Sequence, residues 1–110
     1  MLNRWSEWRP FPDPRVGGVL VAPFGPGVYD LRRRSTQEPI LFGIGGHTAS
    51  RMTSLLPEPL GKGTRNNEDK RRYLVEHLAD IEYRTLACTT RNEAAEVERK
   101  LPKHTYQFRT

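Results

Sequence analysis

The chain is poor in the residues that form disulfides and metal sites. Its 110 residues include one cysteine and three scattered histidines, and only 35% are hydrophobic. The lone Cys88 excludes an internal disulfide, which favours a reducing, cytoplasmic compartment, and one cysteine with three scattered histidines does not make a zinc site. The sequence contains no apolar run of about 18 residues, so no membrane-spanning segment is predicted. Residues 1–15 lack the apolar core of a secretory signal.

Positive charge is in excess. Lysine and arginine number 18 against 13 aspartates and glutamates, which gives a formal net charge of +5. Such a balance favours polyanionic partners, either nucleic acid or an anionic membrane. Candidate phosphate-binding residues occur in a basic turn and in a later basic stretch, and they are Arg33, Arg34, Lys62, Arg65 and Arg71. The alternative is a solvated charged surface, because acidic residues are interspersed among them.

The residue patterns predict an α+β fold with a small three-stranded antiparallel sheet flanked by helices. Strands are indicated by β-favouring residues between turn signals, and helices by apolar periodicity with capping residues. The predicted strands are 27–33, 39–45 and 81–89, and the predicted helices are 49–56, 67–80 and 90–101. This element order suits a sheet with helices packed on it.

The first 25 residues are predicted to form an arm that packs on a domain of residues 26–110. The arm is rich in proline and carries four large aromatic residues, Trp5, Trp8, Phe11 and Phe24. We expect these rings to cover part of the core, with residues 19–22 as a possible edge strand. An alternative is that the arm docks on another protein, since exposed apolar patches often mark interfaces.

A glutamate lies on the apolar stripe of the last predicted helix. Thr90 and Glu93 have the spacing of a capping box. The stripe consists of Ala94, Val97 and Leu101. Glu98 falls on the same stripe, where a carboxylate is costly to bury without a partner. The pattern indicates either a structural ion pair or a site that holds a metal ion or a basic group.

Several short motifs occur in a particular order along the chain. They are Gly27-Val28-Tyr29, Ile40-Leu41-Phe42-Gly43, Arg51 eight residues later, Asp80-Ile81-Glu82-Tyr83 and Glu93-Ala94-Ala95-Glu96-Val97-Glu98. Over about residues 25–108 this ordered set resembles the GIY-YIG nuclease family, and within it most closely the nuclease domain of the bacterial nucleotide excision repair incision subunit. The resemblance implies the GIY-YIG fold and a metal-dependent endonuclease that acts on DNA. Branched or damaged DNA would be included among its substrates, and DNA repair among its roles.

The resemblance also implies roles for individual residues. Glu98 would hold a single Mg²⁺ or Mn²⁺ ion, since one carboxylate with several waters suits Mg²⁺. Arg51 would contact the phosphate oxygens, and Tyr29 would activate the attacking water. Alternatively, Tyr29 is an ordinary aromatic residue of a strand, and Arg51 is an arginine on the surface of a helix. His47 follows a glycine-rich turn beside the predicted cleft, and we hypothesise that it is a general base, because imidazole titrates near neutral pH.

The chain departs from the family pattern at three polar positions. Leu41 stands in place of the second tyrosine, and Leu55 stands four residues after Arg51, where the family often has tyrosine or histidine. Tyr106-Gln107-Phe108 occupies the place of an asparagine. These departures leave open an alternative function, a catalytically weak or inactive nucleic-acid-binding module of the same fold.

Overall fold

A computed structural model describes residues 5–13, 17–53, 55 and 68–108. Within these residues the elements, in chain order, are β1 (Arg9–Pro10), β2 (Gly27–Arg33), β3 (Pro39–Gly45), α1 (Thr48–Thr53), α2 (Glu68–Glu76), β4 (Ile81–Ala87) and α3 (Arg91–Arg99). Short 3-10 turns lie at Leu78–Asp80 and Lys103–Thr105. None of the helices in the described part of the chain has the length and apolar character needed to cross a bilayer.

The four strands form one antiparallel sheet in the order β1-β4-β2-β3. The α+β class and the bounds of β2 and β3 are as predicted, but the predicted count of three strands is wrong. The extra strand comes from the arm, where Arg9–Pro10 pairs with Tyr83 and Glu82 of β4. Proline has no N–H to donate, so this pairing is restricted to a short edge strand. Residues 19–22, all of them described, lie outside the sheet.

The sheet has two covered faces. Side chains alternate along a strand, so Val28 and Tyr29 point in opposite directions. The Tyr29 face packs against α1 and α2, through a cluster that includes Leu31, Leu41, Met52 and Leu74. The Val28 face packs against α3, whose Ala94 is fully buried beside Val28 and Leu86. The domain is therefore a sheet between two layers of helices.

Opposite charges face each other across β2 and β4 on the Val28 face. Asp30 lies directly opposite Arg84, and Arg32 lies opposite Glu82. The Nε and Nη2 atoms of Arg84 are each 3.0 Å from Asp30 Oδ2, and Arg32 Nη2 is 3.4 Å from Glu82 Oε2. The Tyr106 hydroxyl donates to Asp30 Oδ1 at 2.8 Å. These contacts join the centre of the sheet to the C-terminal segment.

The arm covers this charged layer. The guanidinium carbon of Arg32 lies 3.9 Å from the Trp8 ring centroid, and that of Arg84 lies 4.2 Å from the Trp5 ring centroid. The Ser6 N–H donates to the Thr85 carbonyl at 2.8 Å. Cation–π contacts of this kind contribute about 0.5–2 kcal/mol, depending on how far they are desolvated. The two tryptophan rings thus pack on arginines of their own domain.

Burial changes the titration of Asp30. Its side chain is 5% exposed, and desolvation raises the pKa of Asp30 above 3.8, although the Tyr106 and Arg84 contacts act in the opposite direction. Between 3.8 and the raised value, the folded state holds a proton that the unfolded state has lost. The contribution of Asp30 to the free energy of unfolding therefore decreases as the pH rises through that window.

We predict that Asp30→Ala lowers the free energy of unfolding by about 3 kcal/mol, because it leaves the Arg84 guanidinium against the sheet without a counter-charge. Urea unfolding followed by tryptophan fluorescence measures the change. Asp69→Ala is the control, since Asp69 is 90% exposed and pairs with Arg72 at 3.7 Å on the helix surface. We expect that control to cost less than about 1 kcal/mol.

Replacing both partners gives the complementary result. Asp30→Leu with Arg84→Met removes both charges together and is expected to recover most of the lost stability, because no charge is left buried. A single Asp30→Ala loss as small as that of the control would contradict a stabilising role for the pair.

Candidate functional site

A pocket of about 520 Å³ opens to solvent at one end of the sheet, where β3 ends and where both α1 and α3 begin. Its lining consists of Ile44, Gly45, Gly46, His47, Ser50, Arg51 and Arg91. Two arginines, a histidine and a serine thus face one open cavity. No carboxylate is among these lining residues, so the pocket presents hydrogen-bond donors and positive charge.

The backbone amides in the first turn of α1 already donate hydrogen bonds within the protein. Its four leading amides all donate internally: Thr48 to the Gly25 carbonyl at 2.9 Å, Ala49 to the Pro23 carbonyl at 2.9 Å, Ser50 to His47 Nδ1 at 3.1 Å and Arg51 to the His47 carbonyl at 3.0 Å. No amide of this turn remains for an anion. The first turn of α1 therefore offers an anion no backbone donor, and what this helix contributes to the pocket is side chains.

His47 is oriented as a donor. Its Nδ1 accepts the Ser50 N–H at 3.1 Å, so the lone pair lies on Nδ1 and the proton of the neutral ring lies on Nε2. A general base would need a free lone pair on Nε2 instead. The hypothesis that His47 is a base is thus not favoured by this geometry, whereas donation from Nε2 to an oxygen in the pocket is.

Arg51 and Arg91 reach the pocket from different helices. Arg51 is on α1, and Arg91 is the first residue of α3, directly after the cap residue Thr90. The Thr90 hydroxyl accepts the Glu93 N–H at 3.1 Å, which confirms the predicted cap and fixes the start of α3. Guanidinium groups present paired N–H donors that match the geometry of phosphate oxygens. The two arginines and His47 together suit a phosphate group.

Tyr29 lies inside the domain. It is 3% exposed, it belongs to the cluster on the Tyr29 face, and it is not among the residues that line the pocket. Its ring lies against Gly43 on β3, where any larger residue would collide with it. Leu41 and Leu55, which stand where the resemblance expects polar groups, are 0% and 7% exposed in the same cluster. Tyr29 is therefore buried in a hydrophobic cluster and lies outside the pocket lining.

Glu98 lies on the other side of the sheet from the Tyr29 ring. It is on α3, which packs on the Val28 face through Ala94, and it is half-exposed. Seven residues separate it from Arg91, which places it about 10 Å further along the helix axis. In the described residues its carboxylate makes no ion pair or hydrogen bond. The structure thus separates Tyr29 from Glu98 and leaves Glu98 open to solvent.

The predicted phosphate-binding arginines lie away from the pocket. Arg33 is at the opposite end of β2, about 20 Å away, and its Nε is 2.7 Å from Asp80 Oδ2. Hydrogen bonds from Ser35 and Arg33 hold the pKa of Asp80 below its usual value, so this pair stays charged. Arg34 is exposed in the adjoining turn, and Arg71 is half-buried on α2. Lys62 and Arg65 lie outside the described residues.

The fit to a metal ion depends on Glu98 alone. Within the described ranges, no three His, Cys, Asp or Glu residues come together as ligands. The pocket itself does not fit a divalent cation, because its donors would repel one. The half-exposed Glu98 carboxylate does fit the single-carboxylate, water-rich coordination that Mg²⁺ accepts.

Sequence reasoning missed Arg91. The sequence analysis assigned it no role, but it lines the pocket together with His47 and Arg51. The signal available was its place directly after the Thr90 cap, because a residue at the start of a helix that follows a strand lies at the end of the sheet. His47 and Arg51 were predicted as site residues, and both line this pocket.

Comparisons with known proteins give no match for this chain, whether to a family model, to a curated protein or to a solved structure. The resemblance to GIY-YIG nucleases therefore rests on the motifs of the sequence.

We predict that Arg91→Gln weakens binding of a short DNA oligonucleotide about tenfold, because one charge-assisted contact to phosphate is lost. The slope of log affinity against log salt should become shallower by about one unit. Fluorescence anisotropy between 50 and 200 mM salt, roughly the range over which such contacts are screened, measures both.

The matched control is Arg99→Gln. Arg99 is on the same helix, has the same charge and is exposed as Arg91 is, but it does not line the pocket and lies 3.7 Å from Glu96 at the far end. Equal losses for the two variants would show that net charge alone, rather than the pocket, determines the affinity.

Proposed function

We propose that this domain binds nucleic acid and holds a backbone phosphate in the pocket formed by Arg51, Arg91 and His47. The observation that carries the proposal is the convergence of two guanidinium groups and an imidazole donor on one open cavity, with no carboxylate among the described residues that line it. Such a cavity favours an anion, and its fork-shaped donors match an anion with two or more oxygens, such as phosphate, better than a halide.

The open shape and the overall charge favour a polymer over a free phosphate. The pocket opens to solvent at the end of the sheet, so a phosphate inside a long chain can enter without threading. The net charge of +5 attracts a polyanion from a distance and adds affinity without regard to sequence. Contacts of this kind position a backbone, so we expect little base-sequence preference.

A second candidate is phosphodiester cleavage as a metal-dependent endonuclease. It is supported by the position of Arg51 in the pocket and by the half-exposed carboxylate of Glu98 on the helix that also carries Arg91, although Glu98 is not among the lining residues and lies about 10 Å from Arg91 along the helix axis. When bound, Mg²⁺ or Mn²⁺ would supply Lewis-acid stabilisation of the leaving oxygen. Arg51 and Arg91 would neutralise charge on the phosphate, and His47 would donate from Nε2. Of the roles that the resemblance implies, activation of water by Tyr29 has the least support, because Tyr29 is buried.

Nicking of supercoiled plasmid distinguishes the two candidates. For the endonuclease, the expected outcome is nicking that requires Mg²⁺ or Mn²⁺ and that falls at least about 100-fold in Glu98→Gln, because the proposed metal ligand loses its charge. Glu96→Gln is the matched control, since Glu96 is on the same helix, exposed and paired with Arg99. It should leave the rate unchanged.

Three other outcomes have defined meanings. Binding that depends on Arg91, without nicking in either metal, supports the binding module. Nicking that survives in Glu98→Gln rules out Glu98 as the metal ligand and points to a contaminating nuclease. An absence of both binding and nicking contradicts both candidates.

A further inference from the structure

Phe24 is an exposed aromatic ring beside the phosphate pocket. It is 82% exposed, more than any other large hydrophobic residue in the described ranges. Its ring centroid is 5.6 Å from that of His47, and the two rings are tilted by 30°. Because His47 lines the pocket with Arg51 and Arg91, the Phe24 ring lies at the pocket rim.

The backbone on both sides of Phe24 is held in place. The Pro23 carbonyl accepts the Ala49 N–H at 2.9 Å, and the Gly25 carbonyl accepts both the N–H of Thr48 at 2.9 Å and its hydroxyl at 3.0 Å. Thr48 itself is fully buried. These bonds fix the residue to the first turn of α1, which also carries Arg51. The exposed ring and the arginine therefore have a defined relative position.

The exposure of Phe24 differs from that of the other exposed apolar side chains. Val19 and Val21 are 77% and 52% exposed, but they alternate with Leu20 and Ala22, which pack on the core. Their exposure is explained by this alternation, because in an extended chain that lies on the core every second side chain points to solvent. Phe24 has no such explanation, and an aromatic face beside a phosphate-sized pocket suits a nucleobase, which stacks on aromatic rings whatever its identity.

We infer that Phe24 is a stacking platform for an unpaired nucleobase whose neighbouring phosphate lies between Arg51 and Arg91. This inference rests on the proposed nucleic-acid binding and adds to it a preference for unpaired strands. A base inside a duplex is stacked on its neighbours and cannot lie on a protein ring, so single strands, flaps and loops bind more tightly than a closed duplex. DNA and RNA share the chemistry, since both carry a π-face and a phosphate.

The test compares single-stranded and duplex oligonucleotides of the same length, in DNA and in RNA, with the full chain. Anisotropy gives affinity, and a 2-aminopurine base in the single strand reports stacking through its fluorescence. The variants are Phe24→Leu, which keeps an apolar side chain without a ring face, and Phe24→Trp, which keeps the ring. Val19→Ala is the control for an exposed apolar residue elsewhere on the arm.

We expect Phe24→Leu to weaken single-strand binding roughly 5- to 150-fold, the range that loss of one stacked base produces. The 2-aminopurine signal should change in the same variant, while duplex affinity stays within about twofold. Phe24→Trp and Val19→Ala should resemble the unaltered protein. If only DNA or only RNA responds, that polymer is the source of the base.

Two results would overturn the inference in distinguishable ways. Single-strand affinity and 2-aminopurine fluorescence unaffected by Phe24→Leu, with the Arg91 dependence intact, would remove the stacking role and leave the phosphate pocket standing. Absence of oligonucleotide binding by the unaltered chain would overturn the stacking role and the proposed function together.

Discussion

The pairing of β2 with an antiparallel neighbour on each side determines where the candidate site residues of this domain lie. Tyr29 pairs with Gly43 on one side and with Thr85 on the other, and both registers continue along the strand. Because side chains alternate, this register sends the Tyr29 ring toward α1 and the Val28 side chain toward α3. A slip of one residue would exchange the two faces. The ends of the same strands bring the starts of α1 and α3 together, which creates the pocket.

The charged layer on the Val28 face helps to specify that register. Asp30 meets Arg84 and Arg32 meets Glu82 only in the observed pairing. A slip of two residues, which keeps the same face, would place Asp30 opposite Glu82 or Arg32 opposite Arg84, so that like charges would face each other. A buried ion pair loses hydration, so its net contribution to stability over an apolar pair is small. Its larger effect is the cost imposed on wrong pairings. Trp5 and Trp8 reinforce the correct one by packing on the arginines, which makes the arm part of the sheet rather than an appendage.

Local signals in the sequence predicted local structure well. The bounds of β2 and β3 and the Thr90 cap follow from residues adjacent in the chain, and the structure has them as predicted. Features that depend on distant contacts were not predictable in the same way. The pairing of Arg9–Pro10 with β4 joins residues more than seventy positions apart, and two prolines nearby argued against a strand. The acceptor role of His47 Nδ1 depends on how the chain turns into α1. Arg91 became significant only once the strand ends were located.

The separation of Tyr29 from Glu98 has a consequence for how binding and cleavage relate in this fold. Binding a phosphate needs only side chains at one end of the sheet, and Arg51, Arg91 and His47 all lie there. Cleavage of the kind that the resemblance implies also needs groups from the two opposite faces. On the Tyr29 face, Leu41 and Leu55 fill with hydrocarbon the space where further polar groups would stand. The proposed phosphate pocket therefore does not depend on polar groups on the Tyr29 face, whereas the cleavage that the resemblance implies does depend on them.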